Sequence, residues 1–212
     1  MSKIRFRYSK TGKSKYISHL DFTASVQRAF LRAGVKLKYS EGFNPHPYIS
    51  VALPLSVGCE SVCELMDVAV IDINIPNIKK ISLQEGIVLQ EIYEPVQKFS
   101  DIAWIEVIAK LYYDMIPDNA LMTGIIERFS EKSIVISKKT KRGTKDIDIA
   151  PYIKDLSFSP GDSCVIMNAK IFAQNPSITH IDIENVLKND FKPKSVDLKR
   201  IELFDKNTVK FK

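Results

Sequence analysis

Residues 3–8, KIRFRY, alternate strictly, with Ile4, Phe6 and Tyr8 on one side and Lys3, Arg5 and Arg7 on the other. A period of two predicts a half-buried strand with a cationic outer face. The period then changes. Phe22, Val26, Ala29, Phe30 and Ala33 recur at helical spacing, which predicts a helix with a buried stripe. Ser18 stands where an N-cap belongs, Asp21 follows three residues later as in a capping box, and Gly34 supplies a stop. Val35, Leu37 and Tyr39 next alternate with Lys36 and Lys38, predicting a second strand with basic residues outward. GFNPHP is a loop in which Gly42 permits a tight bend and Pro45 and Pro47 restrict the backbone around His46. ISVALPLSVG predicts a strand and a turn at Pro54, and CELMDVAVIDI another strand. Ile81 to Glu85 forms a short helix in this scheme, and IVLQEIYEP closes with a strand.

The order β-α-β-β-α-β is the ferredoxin-like pattern. A boundary is expected between Pro95 and Ser100, after which the pattern restarts. AWIEVIAKLYYDM is a strand, and PDNALMTGIIERFSE a helix with Pro117 at or near its start. SIVISKKTKR and the segment through DIDIAPYI are strands around a basic turn, and SCVIMNAKIFA is a further strand. THIDIENVLKND is a helix capped by Thr179, and SVDLKRIELF the last strand. The expected fold is α+β, with two tandem ferredoxin-like (βαββαβ) units over residues 1–97 and 98–212.

Charge adds what periodicity does not show. The net charge of the 212 residues is +6, but residues 1–40 carry ten Lys/Arg against one acid, Asp21. Residues 41–100 reverse the sign, with three basic and eight acidic residues. Basic charge gathered at one end points to a phosphate-rich partner. Three cysteines make no disulfide framework, so a reducing cytoplasm is the expected compartment. No apolar run approaches a membrane span, and MSKIRFRYSK is charged and lacks the apolar run of a signal peptide.

Parity directs Arg5, Arg7, Lys36 and Lys38 to the sheet face that helices leave open, as in RNA-recognition modules. With Lys13, Lys15, Arg28 and Arg32 they make a candidate track for a phosphate backbone. Lys13, Lys15, Ser18 and His19 surround a helix N-terminus, a ready anion site. SKTGKSK is too short and too poor in glycine for a Walker loop. His19 and His46 are the candidate acid/base residues. Ser18, His19 and Asp21 do not form a triad, because successive helical residues diverge by about 100°. Cys59 and Cys63, spaced C-x3-C with Met66 where a third cluster ligand would stand, are expected to be buried thiols rather than ligands. No metal or cofactor is expected within this chain. Three roles stay open for Glu60, Glu64 and Asp67: holding a cation, acting as a base, or pairing with the basic N-terminal region. Lys138, Lys139, Lys141, Arg142 and Lys145 form a basic turn, either solvated or a second phosphate contact.

RYSKTGKSKYISHLD, QRAFLRAG, YSEGFNPHP and LPLSVGCES carry a family resemblance, extended by KKTKRGTKDIDIAPYI. On these motifs the chain resembles the bacterial radical-SAM-linked proteins, a domain of unknown function encoded beside, or fused to, a radical SAM enzyme with a cobalamin-binding region. The resemblance implies a radical SAM enzyme as partner and RNA modification as the setting. It carries over no catalytic residue. At the level of fold, paired ferredoxin-like units are also similar to CRISPR RNA-processing proteins. Three functions follow as expectations: an RNA-binding accessory protein of a radical SAM enzyme, an RNA-processing enzyme using His19 or His46, and a protein–protein adaptor without nucleic acid.

Overall fold

The structure is a computed structural model and describes residues 2–73, 75–140, 143–174 and 177–212. It is mixed α+β with antiparallel strand pairs, and its contacts gather into two compact units, residues 1–99 with Lys212 and residues 100–211. Among the described residues, no helix is long and apolar enough to cross a membrane.

The first unit contains β1 (Ser2–Lys10), α1 (His19–Arg32), β2 (Ile49–Val51), β3 (Glu60–Val70), α2 (Ile75–Ile78) and β4 (Ile87–Tyr93). β1 lies between β3 and β4, and β2 pairs with the other side of β3, every pair being antiparallel. The strand order is therefore β4-β1-β3-β2. Ile4, Phe6 and Tyr8 of β1 meet Phe22, Val26 and Phe30 of α1 in one core with Met66, Val68 and Val70 of β3. Phe6 contacts Phe30 edge-on at 5.1 Å and Tyr8 stacks on Phe22 at 5.0 Å. The alternation in β1 and the stripe on α1 are thus two sides of one packing interface. Ser18 caps α1 by accepting the Asp21 amide at 3.1 Å, and Gly34 follows the helix at φ +73°.

Two elements differ from expectation. Residues 35–39 are not a continuous strand, because Leu37 and Tyr39 make only isolated bridges, to Val70 and Pro47. The longer pairing with β3 falls to β2. The short helix lies not at Ile81–Glu85 but upstream in α2, where Pro76 sits in the first turn and its missing N–H costs nothing.

The second unit contains β5 (Trp104–Tyr112), α3 (Asn119–Ser130), β6 (Val135–Thr140), β7 (Gly143–Asp148), β8 (Ile153–Pro160), β9 (Cys164–Phe172), α4 (His180–Phe191) and β10 (Ser195–Phe204). Its strands run β10-β5-β9-β8, all antiparallel, with β6-β7 as a separate hairpin. β8 is a strand that the sequence pattern does not mark. Its register shifts between Lys154 and Ser157, and Asp155 has φ +49°, so the alternation is broken where periodicity would reveal it. Thr179 and Asp182 cap α4 reciprocally.

Gly86 ties β4 to the turn before α1. Its carbonyl accepts the Thr11 amide at 2.8 Å and the Ser14 hydroxyl at 3.1 Å. Its φ is +85°, and a Cβ there would lie 2.3 Å from the Thr11 carbonyl oxygen. The left-handed backbone alone costs a substituted residue about 1–2 kcal/mol, and the clash adds to it. Gly86→Ala is expected to lose at least about 2 kcal/mol in urea unfolding; a loss below about 0.5 kcal/mol, the range of ordinary surface changes, would refute this account of the turn.

Candidate nucleic-acid interface

Arg5 and Arg7 stand on β1 with the expected parity, opposite the helix-facing Phe6, but they are not on an open face. Arg5 is 1% exposed and Arg7 6%. The Arg5 guanidinium donates to both carboxylate oxygens of Asp67, at 2.7 and 3.0 Å, and to the carbonyls of Gln97 at 2.9 Å and Lys212 at 3.2 Å. The Phe99 ring lies 4.4 Å from its central carbon. Arg7 approaches Glu91 at 4.0 Å. The placement of both arginines in a phosphate track is corrected accordingly. Alternation shows which side of a strand a residue takes, but not that Gln97, Phe99 and Lys212 return to cover that side.

The three acids beyond the loop each meet the basic N-terminal region. Asp67 holds Arg5 and approaches Lys3 at 3.7 Å, and Glu60 accepts the Gly12 amide at 2.9 Å. Glu64 is buried and its charge acts on Lys10. Lys10 is itself buried and donates to the Ile17 carbonyl at 2.6 Å. Burial lowers its pKa, while Glu64 and Cys59 act in the opposite direction. Between that lowered pKa and the ordinary lysine value of 10.5, the unfolded chain holds a proton that the folded chain lacks. Stability should therefore rise with pH across that window. Tyr93, whose burial raises its pKa, pulls the other way above pH 10.0, so the comparison belongs below that pH. Urea midpoints of Lys10→Met measured over the window should show a flatter pH dependence than wild type; an unchanged pH dependence would separate Lys10 from the effect.

Cys59, Cys63 and Cys164 are free and buried. Among the described residues, no group of three or more His, Cys, Asp or Glu side chains is arranged to hold a metal ion.

The start of α1 is more self-contained than the sequence implies. Ser18 accepts the Asp21 amide and also donates its hydroxyl to the Asp21 carboxylate at 2.7 Å. That carboxylate brings negative charge to the helix end an anion would seek. Lys13 and His19 are exposed, and the Lys15 ammonium lies 5.4 Å from the centre of the exposed Tyr16 ring. Arg28 and Arg32, both exposed, stand one turn apart on the flank from which Ser25 meets Gln84; Gln27 on the opposite flank reaches Tyr39. The exposed cations around α1 therefore occupy two flanks rather than one line.

The GFNPHP loop is an excursion from the strand edge. Lys38 donates its amide to the Ala69 carbonyl, Ile71 to Lys36, Tyr48 to Lys38, and Ala69 to Tyr48. The chain thus leaves β3 after Lys38 and rejoins it at Tyr48 with almost no displacement along the strand. Two hydrogen bonds close the neck: the Ser40 amide to the His46 carbonyl at 2.8 Å, and the His46 amide to the Ser40 hydroxyl at 2.9 Å. Residues 41–46 are all exposed, Gly42 has φ +115°, and Phe43 is fully exposed. Tyr48 is exposed too, with the Lys38 ammonium 6.0 Å from its ring centre.

His19 and His46 are anchored at opposite ends of β3. The segment before α1 attaches near Gly58 and Ser61, through the Lys15 carbonyl and through Lys10; the loop attaches at Ala69. Eight strand positions separate Ser61 from Ala69, about 26 Å at the usual rise. No hydrogen bond or ion pair among the described residues joins the two histidines.

The sequence pattern passes over the exposed rings of Tyr16 and Tyr48, and it gives Phe43 no separate role within its loop. Tyr16 carries a signal, an aromatic residue outside both core periods directly after Lys15; for Phe43 and Tyr48 the nearest lysine, Lys38, is five and ten residues away in sequence. In the second unit, Lys138 pairs with Asp182 at 2.7 Å and donates to the Ser177 carbonyl. Lys141 and Arg142 of the basic turn lie outside the described residues.

A family model described as an uncharacterized protein conserved in bacteria, DUF2344, matches residues 3–183. No curated protein matches the chain significantly. Among solved structures, the chain is similar to one in the crystal structure of a Cbf5-Nop10-Gar1 complex, with a TM-score of 0.50 and 10% identity over 93% of this chain. This chain spans about half of that one, 49% of its length. A second likeness, to an unknown protein from Galdieria sulphuraria, has a TM-score of 0.26 and 8% identity, covering 94% of this chain and 98% of that one.

Proposed function

The chain belongs to the DUF2344 family of proteins conserved in bacteria, and from that premise we propose that it is an RNA-binding accessory protein. In this reading it works in the cytoplasm with a radical SAM enzyme of the cobalamin-binding type, in RNA modification. The observation that carries RNA binding is the set of exposed or half-exposed cations in the first unit, Lys13, Lys15, Arg28, Arg32, Lys36 and Lys38, the first five of which pair with no acid among the described residues. Lysine and arginine held this way bind a phosphate backbone by releasing its counterions. Aromatic rings beside Lys15 and Lys38 add the second feature of RNA-contacting surfaces. The radical SAM partner rests on the sequence resemblance alone.

Both units are ferredoxin-like in this reading. The orders β4-β1-β3-β2 and β10-β5-β9-β8 support it, with the β6-β7 hairpin as an insertion in the second unit.

Two measurements test the proposal. The purified protein should bind RNA with an affinity that falls as salt rises, and RNA crosslinked to it in cells should change in identity or amount when the partner enzyme is deleted. A purified protein that binds no RNA at low salt overturns the RNA reading and leaves a protein–protein adaptor. Crosslinked RNA that does not depend on the enzyme overturns the partnership.

A further inference from the structure

The loop between Lys38 and Tyr48 differs from an ordinary surface loop in two respects. Its neck is closed by the paired Ser40–His46 hydrogen bonds and the Tyr39–Pro47 bridge, so its ends are held. Its apolar residue, Phe43, nevertheless faces solvent completely. A phenylalanine held in water by a closed loop gains nothing for the fold, since no core atom touches it. A ligand that covers the ring would recover that cost.

The size and setting of the ring select the ligand. A stable protein interface buries about 800 Å² per partner, whereas Phe43 is flanked by Gly42, Asn44 and Pro45, of which only the small proline ring adds apolar surface. One ring matches one base. At the root of the loop stand Lys36 and Lys38, with Glu41 the one acid between Lys36 and Tyr48. That combination of an aromatic platform and adjoining cations suits unpaired nucleotides, whose bases have free faces and whose phosphates need a counter-charge. A duplex does not fit, because its base faces are already stacked.

Resting on the RNA-binding reading above, we infer that the loop of residues 39–48 is a stacking platform for single-stranded RNA. Phe43 takes the face of an unpaired base, and Lys36 and Lys38 hold the neighbouring phosphates. The closed neck holds the ends of the loop, so the backbone loses less freedom on binding than an open loop would. The accessory protein would then present to its partner a nucleotide that is already out of the helix.

The test is fluorescence anisotropy with a labelled single-stranded oligouridine and a labelled RNA duplex of equal length, across a salt series. Phe43→Ala should weaken single-strand binding about tenfold, within the range of lost base stacking. It should leave duplex binding and the salt slope as in wild type, since no phosphate contact is removed. Phe43→Trp should restore single-strand binding. Because Phe43 touches no core residue, both variants should keep the wild-type circular dichroism. Single-strand binding by Phe43→Ala equal to that of wild type overturns the platform and leaves phosphate binding standing. Equal weakening on strand and duplex overturns it too. Loss confined to binding of the radical SAM partner reassigns Phe43 to a protein contact and also overturns it. If wild type binds neither RNA, the RNA reading itself falls.

Discussion

Replacing Asp67 with Ala should cost about 3–5 kcal/mol of stability, the range for breaking a buried ion pair from one side. Asp67 meets the Arg5 guanidinium at two oxygens, and both side chains are buried. An arginine does not neutralise itself by losing a proton, so the variant takes the bidentate carboxylate from a buried charge that packs against Phe99. The Gln97 carbonyl at 2.9 Å and the more distant Lys212 oxygen at 3.2 Å still accept hydrogen bonds, but neither replaces the two-oxygen contact. Arg5→Met together with Asp67→Leu should recover most of the loss, because removing both charges also removes their desolvation cost. Urea unfolding of the two variants decides the matter. If Asp67→Ala costs less than about 1 kcal/mol, as exposed pairs do, the pair does not act as a buried one.

Changing Lys13, Lys15, Arg28, Arg32, Lys36 and Lys38 together to Gln should nearly abolish RNA binding. On a single strand each phosphate contact contributes about 0.7 to the slope of log affinity against log salt. If all six make contact, the slope should flatten by about 4, and affinity at about 0.1 M salt should fall on the order of 10⁴-fold. The two flanks of α1 can be separated, because Arg28 and Arg32 lie away from Lys36 and Lys38. The pair variant Lys36→Gln and Lys38→Gln should carry the larger share when the RNA follows the loop flank. A folded six-residue variant with wild-type affinity and slope would remove this face from the function.

The correction at Arg5 and Arg7 shows where sequence stops being informative. Local physics was readable: KIRFRY gave the parity of β1, Ser18 with Asp21 gave the start of α1, and the stripe from Phe22 to Phe30 gave the face it buries. Each of these depends on residues within a turn or two. The burial of Arg5 depends on Asp67, Gln97, Phe99 and Lys212, between 62 and 207 positions away. A cationic strand face looks the same in sequence whether water or an acid meets it. The acids at 60, 64 and 67 did carry the hint, since one of their open roles was to pair with the basic N-terminal region. The continuous strand expected over residues 35–39 failed for a different reason. The edge pairing of β3 is shared between residues 36–38 and 48–51, so the alternation of 35–39 marks which side each residue takes but not how far the pairing runs.

That divided edge has a consequence for tolerance to change. Lys38 and Tyr48 sit side by side on β3, joined by the Tyr48 amide to Lys38 carbonyl bond at 2.9 Å, whatever the chain does between them. Residues added or removed within 41–45 therefore need not alter the strand register, because neither side of the neck has to slide. Loop closure also makes length inexpensive, about 0.6 kcal/mol for each doubling. The loop is a cassette: a peptide epitope or a fluorescent label could be spliced in, or the chain reopened there with new ends, while the sheet keeps its alignment.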